Sequence, residues 1–142
     1  MREPSDWTSA RQGIAHDINE AKRYFPGHML SQTRLIVESY IDGEEFAVDA
    51  YYDDDGQPVV LNALHHRYNG PGDVSDRLYV SSREVIDSIA PAAASLLAEL
   101  NADGSMRNFP LHAEFRREGS GRLVPIEVNP MRFGGWCTTG DF

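Results

Sequence analysis

The stretch that decides the fold covers residues 109–135 and reads FPLHAEFRREGSGRLVPIEVNPMRFGG. Within it, residues 111–117 and 122–128 alternate apolar with polar side chains, and the sequence Gly-Ser-Gly at residues 119–121 separates the two runs. Alternation of this kind is typical of β-strands, and a short connection that contains glycine is typical of a turn between paired strands. The stretch therefore predicts a β-hairpin.

The two faces of the predicted hairpin differ in chemistry. If Arg117 lies opposite Arg122, one face carries apolar residues only: Leu111, Ala113, Phe115, Val124, Ile126 and Val128. The other face carries polar residues, with the last of them just beyond the strand: His112, Glu114, Glu127 and Asn129. A two-residue slip of the register keeps this division, whereas a one-residue slip would bury the carboxylates and expose the aliphatic side chains. The hydrophobic pattern thus predicts a face that carries carboxylates.

Glu114, Glu127 and Asn129 together offer two carboxylates and an amide, held side by side on rigid strands. Oxygen ligands of this kind suit a hard divalent cation such as Mg²⁺, which usually also holds phosphate oxygens. A solvated strand face whose acids share no function is the alternative, because acids at this spacing are common in antiparallel sheets. The residues that follow the second acid favour the metal site.

The sequence IEVNPMRFGG at residues 126–135 resembles the metal-binding strand of the ATP-grasp family. In that family, a carboxylate on one strand and a Glu-x-Asn on the next strand bind the magnesium ions of Mg-ATP. The resemblance implies that Glu114, Glu127 and Asn129 bind Mg²⁺ or Mn²⁺. It also implies that Arg132 holds an acyl phosphate or an acceptor carboxylate through its bidentate guanidinium, with a surface salt bridge as the alternative role.

Three features depart from the pattern of the family. Many members carry an arginine two residues after the metal-binding asparagine, where this chain has Met131 and places Arg132 one step later. His112 stands where some members have an arginine that contacts phosphate. The lysines that grip phosphate in the family come from an earlier part of the fold, and Lys22 is the only lysine of this chain.

A second resemblance lies in the sequence VESYIDGEEFAVD at residues 37–49. Adenine needs a backbone donor and acceptor on an extended segment with apolar walls, and a ribose diol needs a carboxylate acceptor. In the ATP-grasp family, a Glu-x-aromatic-aliphatic segment lines the adenine pocket, and a glutamate soon after it holds the ribose hydroxyls. The match implies that adenine binds at Glu38, Tyr40 and Ile41. It also implies that ribose binds at Glu45 and that ATP is the cofactor. The alternative is that this segment is an ordinary strand with a tight turn.

The rest of the chain supplies the other predicted elements. Apolar residues that recur every three or four positions predict one helix over residues 5–25 and another over residues 81–101. The second helix is expected to begin with a capping box of Ser81 and Glu84, and Pro91 should kink or restart it. Strands are expected over residues 35–41, 45–52 and 58–65. This order predicts an α+β fold with a mostly antiparallel sheet and two helices packed on its apolar face.

By resemblance, residues 35–135 correspond to the later part, or C-terminal subdomain, of an ATP-grasp fold. We therefore expect residues 1–142 to be a single partial ATP-grasp domain of a larger protein. This part lacks the N-terminal part of the same fold, which would be its partner. The implied activity is that of a carboxylate–amine or carboxylate–thiol ligase, in which ATP phosphorylates a small carboxylate to an acyl phosphate for attack by the amine or thiol. The chain alone should not turn over ATP, because Lys22 is its only lysine and no glycine-rich phosphate loop is present.

Two alternatives from other functional classes stay open. One is a non-catalytic nucleotide- or metal-binding remnant, which the shortage of lysines favours. The other is a structural α+β domain whose acids only face solvent. The roles of His65, His66 and Arg67 are also open, and residues 68–77 are either a substrate loop or a long connection.

Composition excludes several classes of function. The chain of 142 residues has a net charge of −9 and no basic stripe, which argues against binding to nucleic acid. No apolar run approaches the roughly 18 residues that cross a bilayer, and the first residues lack the apolar core of a secretory signal. The single cysteine, Cys137, cannot form an internal disulfide, which fits a reducing compartment. The sequence therefore predicts a cytoplasmic protein with no nucleic-acid or membrane partner.

Overall fold

The structure, a computed structural model, describes Asn19, residues 38–68 and residues 78–134. Two compact units make up the chain. The first unit consists of Met1–Tyr40 and Gly70–Val74, and the second of Ile41–Asn69 and Ser75–Phe142. All the strands described below, and the helix, belong to the second unit.

The described residues of the second unit form five strands and a helix, in the order β1 (Glu44–Tyr52), β2 (Pro58–Arg67), β3 (Leu78–Val80), α1 (Arg83–Leu100), β4 (Phe109–Arg117) and β5 (Leu123–Pro130). The strands form one sheet in the order β3-β2-β1-β4-β5, and every neighbouring pair is antiparallel. The predicted antiparallel sheet is therefore confirmed, with β1 as its central strand.

The second predicted helix is the one that the described residues contain. The helix expected over residues 5–25 lies outside them, except for Asn19, whose backbone is helical. The strand expected over residues 35–41 was wrong for residues 38–41, which form no strand, and its first part lies outside the described residues. β3 had not been predicted, because its three residues are too few to show an alternation. Within the described ranges, no helix combines the length and apolar character needed to span a bilayer.

The helix α1 begins one residue later than its predicted capping box. The N-cap is Ser82, whose hydroxyl oxygen accepts a hydrogen bond from the Val85 N–H at 3.2 Å. Ser81 instead donates its hydroxyl to Asn62 Oδ1 on β2 at 2.8 Å. The helix then continues through Pro91 as one element. Both serines could cap the helix, because their side chains are identical. The hydrogen bond from Ser81 to Asn62 leaves Ser82 as the cap.

The core lies between α1 and the face of the sheet that α1 covers. The strands contribute every second residue to it: Phe46, Val48, Ala50 and Tyr52 from β1, and Leu111, Ala113 and Phe115 from β4. The helix contributes Ile89, Ala93 and Leu97, which recur at four-residue steps. The Tyr52 hydroxyl also donates to the Leu97 carbonyl at 2.8 Å. This packing directs the remaining side chains of both strands to the opposite face of the sheet.

The turn end of the β4–β5 hairpin has a register different from the predicted one. Arg117 pairs with Leu123 rather than with Arg122, and Arg116 pairs with Val124. Leu123 is therefore buried in the core, while Val124 shares the opposite face with Arg116. The assignment of Val124 to the apolar face was wrong, because the turn contains one residue more than the alternation suggested.

A β-bulge at Ile126 restores the predicted division in the second half of the hairpin. At this point β5 advances by two residues while β4 advances by one. Beyond the bulge, Glu114 pairs with Glu127, and His112 pairs with Asn129. The predicted grouping of these four polar residues on one face is confirmed.

Candidate functional site

The face of the sheet that points away from α1 carries a concentration of charged and polar side chains. Alternation along β1 turns Phe46 and Val48 toward the helix and Glu45 and Asp49 away from it. We call this surface the polar face, and it comprises Glu45, Asp49, His66, His112, Glu114, Arg116, Glu127 and Asn129. Four neighbouring strands supply these residues, so they lie in rows across the sheet.

Glu114 of β4 and Glu127 of β5 are direct cross-strand partners. Side chains in such positions have Cβ atoms about 4.5–5.5 Å apart, so one ion can contact both carboxylates. The Glu114 side chain is 25% exposed, and Glu127 is exposed. A cation can therefore approach the pair without a rearrangement of the sheet.

Asn129 lies on the same face, two residues beyond Glu127 on β5 and opposite His112. Its side-chain nitrogen Nδ2 is buried and has no hydrogen-bond partner within the part of the chain that the structure describes. Buried amide groups are normally paired, so the unpaired Nδ2 suits a ligand that brings an acceptor, such as a phosphate oxygen, while Oδ1 is the atom that a metal ion would bind. The fold brings all three predicted metal ligands, Glu114, Glu127 and Asn129, to one face.

The chemistry of these three residues fits a magnesium ion. Among the described residues, no group of three or more His, Cys, Asp or Glu side chains is arranged to hold a metal ion. The set of donors is thus small: the carboxylates of Glu114 and Glu127 and the amide of Asn129. Mg²⁺ is usually bound by one or two carboxylates, with water and phosphate oxygens as its other ligands, so a small set of oxygen donors suits it. Mn²⁺ accepts the same donors.

His112 lies beside the acid pair and is only 4% exposed. Its Nδ1 lies 2.8 Å from Asp49 Oδ1, and its Nε2 lies 3.5 Å from Glu114 Oε1. Burial favours the neutral ring, but the hydrogen bonds to Asp49 and Glu114 outweigh burial and raise the pKa of His112 to about 9. The ring is therefore a cation at neutral pH, and both of its N–H groups are directed at carboxylates.

The chain returns to His112 after β5 has ended. The Gly134 N–H donates a hydrogen bond to Asp49 Oδ1 at 2.8 Å. A Cβ atom at residue 134 would overlap the His112 ring, so glycine is the residue that lets the backbone approach so closely. One carboxylate oxygen of Asp49 thus contacts both the ring and the chain that passes over it.

Glu45, the predicted ribose ligand, is buried at the start of β1. Its Oε1 accepts a hydrogen bond from the Tyr68 hydroxyl and lies 2.9 Å from His66 Nδ1. Its Oε2 accepts bonds from Arg116 Nε and Nη2 at 3.0 and 2.7 Å. Burial opposes ionisation, but the bonds from these neighbours outweigh it and lower the pKa of Glu45. The acceptor positions of the carboxylate are filled, so a ribose hydroxyl would have to replace one of these donors.

The residues predicted to bind adenine have irregular backbone and fall in different units. Glu38 and Tyr40 belong to the first unit and are exposed, whereas Ile41 belongs to the second. The Ile41 carbonyl accepts a hydrogen bond from Arg116 Nη1 at 2.9 Å. Because the same guanidinium binds the carboxylate of Glu45, Arg116 ties the predicted ribose ligand to the end of the predicted adenine segment.

Arg132 follows the end of β5 and is exposed. Met131 before it adopts a left-handed backbone with φ of 63°, and the Met131 N–H donates to the Pro110 carbonyl at 2.8 Å. This conformation ends the alternation of β5, so the strand no longer determines the direction of Arg132. The predicted role of Arg132 therefore depends on the segment that follows β5 rather than on the sheet.

Four residues of this region had no predicted role: Asp49, His66, Tyr68 and Arg116. The alternation of β1 and β4 puts Asp49 and Arg116 on the same face as the predicted ligands, so parity along these strands could have identified them. No comparable signal existed for Tyr68, which follows the end of β2, or for His66, whose partner depends on the pairing of β2 with β1.

Comparison with known proteins identifies the type of fold. The sequence model of the ATP-grasp domain matches residues 1–140 of the chain. No curated protein sequence matches the chain. Among solved structures, an L-amino acid ligase from Bacillus licheniformis has a TM-score of 0.56 and 23% sequence identity, covering 70% of this chain and 25% of the ligase.

A second solved structure has a similar likeness. It is an N5-carboxyaminoimidazole synthetase from Staphylococcus aureus in complex with ADP, with a TM-score of 0.56, 10% sequence identity, and coverage of 90% of this chain and 33% of the synthetase. The chain thus spans about a quarter to a third of the length of these two proteins. At this level of identity, the likeness concerns the fold.

Proposed function

We propose that this chain, which belongs to the ATP-grasp family, is the nucleotide- and metal-binding part of a ligase that activates a carboxylate with ATP. The observation that carries the proposal is the polar face, on which Glu114 pairs with Glu127 and Asn129 follows on the same side. The family match supports an ATP-binding, ligase-type domain. Use of ATP is in keeping with the cytoplasmic location predicted from the sequence.

In the proposed reaction, the terminal phosphoryl group of ATP moves to a carboxylate oxygen of the substrate and leaves ADP. An amine or thiol then attacks the carbonyl carbon of the acyl phosphate, and inorganic phosphate leaves. Glu114, Glu127 and Asn129 would hold Mg²⁺ or Mn²⁺, which would neutralise charge on the transferring group. The exposed guanidinium of Arg132 is suited to hold the acyl phosphate or the carboxylate by two parallel hydrogen bonds.

For the nucleotide, we propose that Glu38, Tyr40 and Ile41 bind adenine and that Glu45 binds ribose. A ribose hydroxyl can take the place of the Tyr68 hydroxyl at Glu45 Oε1, because each donates one O–H to the same oxygen. Arg116 would keep its two bonds to Oε2 during this exchange, so the carboxylate would stay in position.

A non-catalytic nucleotide-binding module is the second candidate. The observation that favours it is that Lys22 is the only lysine of the chain, because a triphosphate needs cationic groups as well as metal. The two candidates share nucleotide binding and differ in turnover by the complete protein, because the chain alone is not expected to turn over ATP. L-amino acids belong in the panel of test substrates, because the ligase from Bacillus licheniformis is named for them.

The proposal is tested by measuring the binding of Mg-ATP to the chain by calorimetry. We expect the wild type to bind, and Glu127→Gln to bind at least about tenfold more weakly, since loss of even an outer partner of a metal ligand typically lowers metal affinity by about 10–100-fold. The matched control is Glu44→Gln, which removes an acid from the side of the sheet that bears His65. Wild-type protein that does not bind Mg-ATP, or equal affinities of the wild type and Glu127→Gln, would contradict the proposal.

A further inference from the structure

We propose that Asp49 is a positioning residue for the metal-binding face, acting through the His112 ring and the backbone of Gly134. The consequence for metal affinity rests on the proposed function, whereas the contacts themselves do not. The three residues come from β1, from β4 and from the segment after β5, so a single carboxylate connects distant parts of the chain.

Asp49 occupies an unusual position for a carboxylate. It has an exposed fraction of 0% and lies in the middle of the central strand of the sheet, opposite His112 on β4. A buried carboxylate is strongly destabilising unless it is paired and hydrogen-bonded. Apolar residues would fill this position at no such cost, so the carboxylate is explained by what it holds.

The first group that Asp49 holds is the His112 ring. Its Oδ1 fixes Nδ1 at 2.8 Å, and the opposite edge of the ring then directs Nε2 at Glu114 Oε1, 3.5 Å away. A buried ring that is held at one nitrogen cannot turn away from its second partner. Carboxylates that bind metals are commonly oriented by such outer partners. Asp49 thereby orients Glu114 without touching it.

The second group is the chain that follows the last predicted ligand. Asn129 is the penultimate residue of β5, and five residues later the Gly134 N–H donates to Asp49 Oδ1 at 2.8 Å. The chain is therefore fixed on both sides of this segment, by pairing with β4 before it and by Asp49 after it. The absence of a side chain at Gly134 permits the contact, because a Cβ would overlap the His112 ring.

A purely structural role would give Asp49 an effect on stability alone, so the test must include a second quantity. We measure Mn²⁺ binding to Asp49→Asn, Gly134→Ala and wild type by calorimetry, at a temperature at which each protein is folded. Tyr52→Phe is the control, because it removes a buried hydrogen bond on the helix side of the sheet without touching the polar face. The ring N–H resonances of His112 are recorded by NMR for the same proteins.

We expect Asp49→Asn and Gly134→Ala each to weaken Mn²⁺ binding by about 10–100-fold, the usual effect of removing an outer partner of a metal ligand. Tyr52→Phe should bind Mn²⁺ as the wild type does, and the Nδ1–H resonance of His112 should shift or broaden in Asp49→Asn. Wild-type affinity in Asp49→Asn would overturn the inference. If Asp49→Asn does not fold, Gly134→Ala alone decides.

The outcome also separates this inference from the proposed function. If the wild type does not bind Mn²⁺, the proposed metal site is wrong, and the His112 spectrum then tests the positioning role by itself. A changed ring resonance in Asp49→Asn supports that role, and an unchanged one refutes it. If the wild type binds Mn²⁺ and Asp49→Asn binds it equally well, the metal site stands and the role of Asp49 does not.

Discussion

Two histidines on opposite sides of the same sheet are similarly buried and differ in charge. His65 and His112 have exposed fractions of 7% and 4%. The His65 ring packs against the Phe46 ring with centroids 4.4 Å apart, and burial lowers the pKa of His65. His112 instead has Asp49 at 2.8 Å, and its pKa is raised to about 9. At neutral pH, the first ring is uncharged and the second is a cation.

The difference shows that the partners of a buried ring, and not its burial, decide its charge. Both rings lose contact with water, which disfavours the cation in each case. At His65 the positive charges of Arg67 and Arg117 add to the effect of burial, whereas at His112 the hydrogen bonds to Asp49 and Glu114 reverse it. The sheet can therefore hold an uncharged histidine on its helix side and a charged histidine on the polar face, with one strand between them.

The largest effect on stability is expected when the pair of Asp49 and His112 on the polar face is broken. Asp49→Ala leaves the buried His112 without its main partner, and removal of one member of a buried ion pair typically destabilises a protein by about 3–5 kcal/mol. The free energy of unfolding, measured with urea, checks this prediction.

The matched variant on the side of His65 is Glu44→Ala. Glu44 has a side chain that is 48% exposed and lies 3.5 Å from His65 Nε2, so its removal should change the free energy of unfolding by no more than about 1 kcal/mol. Equal losses in the two variants would mean that burial of the carboxylate does not separate the two sides.

An intermediate effect is expected from pH, and the two histidines should act in opposite directions. The folded state raises the pKa of His112 from 6.5 to about 9, so its contribution to stability is complete below pH 6.5 and is lost as the pH rises through 9. The loss should be on the order of 3 kcal/mol. The folded state lowers the pKa of His65, so its contribution is present above pH 6.5 and is lost as the pH falls below that value.

Thermal melting of the wild type, His112→Gln and His65→Gln between pH 5 and 10 measures these contributions as differences between curves. The difference in melting temperature between the wild type and His112→Gln should shrink at alkaline pH. The difference between the wild type and His65→Gln should shrink at acid pH. A His112→Gln curve that runs parallel to the wild-type curve up to pH 10 would show that Asp49 and Glu114 do not hold a charged ring.

The smallest effect is expected at a neutral hydrogen bond under the helix. Tyr52→Phe removes the bond from the Tyr52 hydroxyl to the Leu97 carbonyl and keeps the aromatic ring, so stability should fall by about 1 kcal/mol. Because no charge is involved, the loss measured by urea unfolding should be the same at pH 6 and pH 9. A loss that changes with pH would mean that the helix side of the sheet is coupled to His112.

Much of the sheet follows from local pattern. Alternation predicted the hairpin, the strands β1 and β2, and the placement of Glu114 and Glu127 on one face. Helical spacing predicted α1 to within two residues of its start. These features depend on the period of the side chains, which is a property of the backbone and is visible in the sequence.

The contacts of the site were less predictable, because they depend on residues far apart in sequence. The sequence near Glu45 does not predict its contact with Arg116, which is 71 residues away. The sequence near Asp49 likewise does not predict its contact with Gly134, which is 85 residues away. The register error at Val124 has a local cause, since one extra residue in a turn leaves the composition of the hairpin unchanged. The roles of the metal and nucleotide residues stay predictions.

The bulge at Ile126 also bears on how the hairpin forms. If the pairing at the turn continued without it, Ala113 would lie opposite Glu127, and this carboxylate would point into the core under α1. Within the hairpin alone, that register carries no penalty for burying Glu127, because neither face is covered until the rest of the sheet and the helix have packed. The choice between the two registers must therefore be made by contacts distant in sequence, when β4 packs along β1 and the helix covers the sheet. The pairing of Glu114 with Glu127 therefore depends on tertiary packing, and we expect it to form no earlier than the core.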